Sequence, residues 1–113
     1  MSMSSQSSTQ DAVRARKSES LRRTERRLEH ALLAARLLAV PRAQADSLIA
    51  RARAVVGRWE QEDLCSDHYV SRWRSLLGGS VEQVAQRLVE SHEWTDALLQ
   101  NTPWSFAFPP RET

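Results

Sequence analysis

The stretch 42–62 imposes the strongest constraint on the chain. Ala45, Leu48, Ile49, Ala52, Val55, Val56 and Trp59 recur there at i, i+3, i+4, i+7 spacing. On a helix of 3.6 residues per turn this spacing gathers them into one stripe. On a strand it would divide them between two faces. The same period returns in Tyr69, Val70, Trp73, Leu76 and Leu77, and again in Val81, Val84, Ala85, Leu88 and Val89. Each stripe must be buried against another element, so the pattern predicts an all-α fold, a small bundle of four to five helices. Only three glycines and four prolines interrupt the 113 residues, which leaves room for long helices.

The breakers set the boundaries. Pro41 cannot sit inside a hydrogen-bonded helix but suits a first turn, so a kink or tight turn is expected at 40–42. Ser66 or Asp67 is a natural N-cap for a third helix over 67–77, closed by Gly78 and Gly79. Ser80 caps a fourth, with Gln83 at the capping-box position. Ser91 opens a short fifth carrying Trp94, Ala97 and Leu98 or Leu99, which Asn101, Thr102 and Pro103 stop. Domain organisation reads as a disordered Ser/Gln-rich lead-in over 1–10, a long helix over 11–40, a compact helical domain over 41–104 and an extended tail over 105–113. In that tail Phe106 and Phe108 alternate after Trp104, among Pro103, Pro109 and Pro110.

The helix over 11–40 has two characters. Its first part is Arg-rich and its second apolar, with Leu21, Leu28, Ala35 and Leu38 at heptad-like spacing. The apolar part is expected either to fold back on the next helix as an antiparallel hairpin or to pair with a second copy through 21–40.

Charge is unevenly placed although the net value is only +2. Residues 1–58 hold twelve Arg/Lys against five Asp/Glu, and residues 59–113 hold four against nine. Such asymmetry points to a partner. The basic half suits a polyanion or the acidic half of a neighbouring copy. Fifteen of the sixteen basic residues are Arg, a bias expected of a GC-rich bacterial genome. Arg14, Arg16, Lys17, Arg22, Arg23, Arg26 and Arg27 are the candidate nucleic-acid contacts, since guanidinium groups along one helix can bond successive phosphates. The competing reading of the same run is a solvated helix face.

Other signals are weaker. The pattern of Val84, Ala85 and Leu88 resembles the first helix of a helix-turn-helix. Val89 stands where that turn favours Gly, however, and the second helix would carry His92, Glu93 and Asp96, whose two carboxylates would repel phosphates. Cys65 and His68 have C-x-x-H spacing but no second ligand pair nearby, so no metal is expected. A single cysteine also excludes an internal disulfide framework. Glu60, Glu62, Asp63 and Asp67 form an acidic run without the ligand spacing of a calcium loop. With Trp104, Phe106 and Phe108 it is the alternative surface, one for a protein partner. Trp59, Trp73 and Trp94 lie on apolar stripes and read as core.

No nucleophile and base stand in a recognisable catalytic pattern, and no phosphate loop or zinc-protease motif occurs. No run approaches about 20 apolar residues, so no membrane span is expected. The sequence therefore leads to a small, cytoplasmic, non-enzymatic binding protein of bacterial or phage type, without a cofactor, that contacts nucleic acid or a nucleoprotein complex through its Arg-rich helix. The alternative is a protein–protein adaptor or inhibitor, such as a phage-borne inhibitor of a host defence complex, acting through the acidic loop and aromatic tail.

Overall fold

The computed structural model describes residues 3–90 and 95–108. Five α-helices follow one another: α1 (Met3–Ala39), α2 (Arg42–Gln61), α3 (Asp67–Leu76), α4 (Val81–Val89) and α5 (Thr95–Gln100), then a 3-10 turn (Ser105–Ala107). The described residues contain no strand. The protein is a small all-α bundle. It is elongated, 64 × 32 × 27 Å, because the 37-residue α1 runs well past the other helices.

The punctuation acts as its chemistry requires. Pro41, at φ −54° and ψ 145°, is the N-cap of α2 and breaks the chain after α1. The Ser66 side chain accepts the Tyr69 N–H at the start of α3. Ser80 and Gln83 form a reciprocal capping box at α4. Gly79 takes φ +94°, where a side chain is strained, and a Cβ there would strike the Gln83 side chain that completes the box.

Two carbonyls at the C-terminal end of α3 are held from a distance. Arg53 donates from Nε and Nη2 to the Leu77 carbonyl at 3.0 and 2.6 Å, and Arg87 donates to the Ser75 carbonyl at 3.0 Å. These guanidinium groups satisfy the orphan acceptors and favour the negative end of the helix dipole.

Three boundaries differ from the sequence reading. The 1–10 segment, expected as a disordered lead-in, is helical from Met3, since neither Gly nor Pro interrupts the run to Ala39. The second half of α1 belongs to the domain, not ahead of it. Leu33, Ala34 and Leu37 are buried in one core with Ile49, Val56, Trp73, Val84 and Leu88. They pack chiefly against α4 and α5, not in a hairpin on α2. The α2 stripe is taken up by α3 and α4, so α1 covers the remaining apolar face of α4. Finally, the tail is not extended up to Phe108. It turns at Pro103 and Trp104, makes the 3-10 turn and returns over the bundle. Trp94 and the proposed Ser91 cap lie outside the described residues.

Trp73 sits at the centre with no exposed surface, and its indole N–H donates to the Asn101 carbonyl at 3.0 Å. Trp73→Ala is expected to destabilise the fold by about 3–5 kcal/mol in urea unfolding. An unchanged midpoint would place Trp73 outside the core.

Candidate nucleic-acid interface

The site is built on the part of α1 that leaves the bundle. His30, Leu33, Ala34 and Leu37 are at most 4% exposed and mark the face of α1 turned to the core. At 3.6 residues per turn, Arg16, Arg22, Arg23, Arg26 and Arg27 continue that same face toward the N-terminus. The bundle ends there, so hydrocarbon gives way to guanidinium where the neighbouring helices stop. A notch of about 230 Å³ marks the place, lined by Glu19, Arg22, Arg23 and Gln100.

The seven basic candidates are not equivalent. Arg14, Arg16, Lys17, Arg22, Arg23 and Arg27 are exposed. Arg23 faces Glu19 at 3.7 Å in a pair open to water, which costs little to break. The Nε groups of Arg16 and Arg22 lie 3.4 Å from the Ala12 and Ser18 carbonyls, leaving their terminal nitrogens outward. Arg26 is the exception. It is half-buried and bonds Glu29 at 3.4 Å, with both side chains only 20% exposed. Arg14 and Lys17 stand on the other side of the helix from Arg16 and Arg23. The basic residues therefore do not form one continuous side.

The sequence missed His30, which fixes how this arm meets the bundle. It has no exposed surface. Nδ1 lies 2.6 Å from the Arg26 carbonyl, which can only accept, so Nδ1 carries the proton. Nε2 then accepts from the Thr102 hydroxyl at 2.8 Å, and the Thr102 oxygen accepts the Trp104 N–H at 3.1 Å. The ring stacks near Trp73 and meets the Phe108 edge with centroids 4.9 Å apart. The available signal was its place in the line of Leu33, Ala34 and Leu37, which identifies an inward position.

The alternative surface is dismantled in part. Trp104 has no exposed surface and belongs to the core, so it is no anchor for a partner. Phe106 is half-buried beneath the Arg51 guanidinium, 4.2 Å from the ring centroid, and Phe108 is held by His30. The tail lands on the bundle because its aromatics find apolar and cationic surfaces there. The acidic residues Glu60, Glu62, Asp63 and Asp67 are exposed around the α2–α3 turn, with Glu60 paired to Arg74 at 2.5 Å.

Cys65 is half-buried and His68 exposed. Among the described residues no three His, Cys, Asp or Glu side chains gather as a metal site would require. No helix among them is long and apolar enough to cross a membrane. His92 and Glu93, which weakened the helix-turn-helix resemblance, lie outside the described residues. Compared with known protein families, curated proteins and solved structures, the chain matches none.

Burial lowers the His30 pKa from 6.5 to about 4; the bond to the Arg26 carbonyl opposes the fall and the Arg26 charge adds to it. Folding therefore favours the neutral ring. This contribution is complete above about pH 6.5 and is lost as pH falls through 4, amounting to about 3 kcal/mol. Urea unfolding at pH 7 and pH 4.5 is expected to show a smaller loss of stability for His30→Gln than for the wild type. Equal losses would show that His30 is not held neutral.

Proposed function

We propose that the protein is a non-enzymatic, cytoplasmic nucleic-acid-binding protein of bacterial or phage type, with α1 as its contact element. The reading rests on one observation: the core-facing line of α1 continues beyond the bundle as an exposed row of guanidinium groups, Arg16, Arg22, Arg23 and Arg27. The Arg23–Glu19 pair is open to solvent, so little must be broken there before a phosphate replaces the carboxylate. Guanidinium–phosphate bonds are charge-assisted, and each displaces condensed counterions. A nucleoprotein complex offers the same chemistry. Such contacts set position without reading bases, so binding is expected to be indifferent to sequence.

Glu19 in the notch opposes an anion, which places the main contacts along the arm and not inside the notch. Arg26 has a different role: it pairs with Glu29, and its carbonyl orients His30. The adaptor or inhibitor reading keeps the acidic turn as its surface. It loses Trp104 to the core, and Phe106 and Phe108 pack against the bundle.

The test is titration of labelled duplex DNA and of single-stranded RNA at about 50 and 200 mM salt. Affinity is expected to fall steeply with salt. Replacing Arg16, Arg22, Arg23 and Arg27 together by Gln keeps helix propensity close to that of Arg. It is expected to weaken binding on every sequence and to flatten the salt slope by up to about one unit per lost contact. A wild type that binds neither polymer, or a variant that binds equally well, would reject this function.

A further inference from the structure

The second face of α1 carries a different surface, which the phosphate contacts do not use. Leu21, Leu28, Leu32 and Leu38 are 58–65% exposed, and Ala31, Ala35 and Ala39 between them are exposed as well. Leu21, Leu28, Leu32, Ala35 and Ala39 lie on the side of α1 opposite His30, Leu33 and Leu37, while Ala31 and Leu38 flank that side, Leu38 beside Val81 and Glu82 of α4. We propose that this stripe is the interface of a homodimer in which two copies of α1 pack antiparallel over residues 21–39.

Three features favour a second copy in that orientation. The first is register. With Leu21 opposite Leu38 of the second copy, Thr24 falls opposite Ala35 and Leu28 opposite Ala31, so leucines meet at the two ends of the seam and larger side chains meet alanines between them. The pairing is its own inverse, as a two-fold interface must be.

The second is charge. Arg14 and Lys17 continue the apolar stripe toward the N-terminus. A parallel pair in register would bring two Arg14 and two Lys17 side chains together in the seam. The antiparallel pair carries each past the end of the opposing α1 and avoids that repulsion.

The third is area. The stripe is about 27 Å long at 1.5 Å per residue. Two such strips face to face cover on the order of 1,000 Å², the lower bound for a specific interface. In this register Leu32 meets Arg27 at the flank of the seam, and Arg16, Arg22 and Arg23 stay outside it. The dimer therefore holds whether or not the arm binds phosphates.

Sedimentation equilibrium on the full chain at about 100 µM protein, without nucleic acid, tests the association. The expected mass is twice the 12.9 kDa of one chain. Leu28→Glu with Leu32→Glu is expected to return the mass to that of one chain while leaving the far-UV circular dichroism of the bundle in place, since both positions face solvent. A wild type of single-chain mass, or a variant that still pairs, overturns the proposal.

Orientation is read from a spin label at Ser18→Cys in a Cys65→Ser background. The antiparallel pair places the two labels about 35 Å apart, from the helical rise over the offset. A separation of about 15 Å would show parallel helices and overturn the register.

Discussion

The hydrogen bond from Thr102 to His30 ties the C-terminal segment to α1, and the packing around the core follows from it. His30 is held from its own helix by the Arg26 carbonyl and from the C-terminal segment by Thr102. With that bond in place, Asn101 is positioned to accept from Trp73, Trp104 enters the core and Phe108 packs on the imidazole. One short segment thus reaches α1 and α3, and through Phe106 and Arg51 it reaches α2 as well. The arrangement carries costs. The imidazole must stay neutral, and the buried Trp104 indole N–H finds no acceptor among the described residues, a penalty of about 1–3 kcal/mol that packing must offset.

Closing the bundle at His30 divides α1. Beyond it toward the C-terminus, the inward face is hydrocarbon and the outward face carries leucines. Toward the N-terminus the inward line becomes arginine and loses its neighbours. The uneven charge of the sequence is therefore a spatial division too, since the basic arm projects from a bundle whose later half is acidic. A long exposed helix gains little from tertiary packing, and helices in water depend on such packing for most of their stability. A polyanion along one side and a second copy along the other would each supply what the bundle does not.

Much of the fold was legible because periodicity and caps report local physics. The stripes of α2, α3 and α4, the break at Pro41, the Ser66 cap and the Ser80 box all emerge from spacing and side-chain chemistry. What failed was long-range choice. Leu28, Leu32 and Leu38 and Leu33 and Leu37 are chemically alike, so the sequence did not show which set faces inward. Trp104 could equally be a staple of the tail onto the bundle or an exposed anchor, because nothing local reveals that Thr102 will bond a histidine 72 residues away. Nothing in the spacing of α2 reveals that Arg53 bonds the Leu77 carbonyl at the end of α3. The basic row was visible as composition, but the half-burial of Arg26 became apparent only with the packing around His30.

Amide hydrogen exchange along α1, with and without a short DNA duplex, tests the division between bundle and arm most directly. In the free protein the amides of residues 30–38 should exchange slowly, and those before residue 22 quickly, because only the former are covered by packed side chains. Adding the duplex at low salt should slow exchange within residues 12–24 and leave the bundle amides unchanged. Uniform protection along the whole helix in the free protein, or duplex-induced slowing confined to the bundle, would contradict the account.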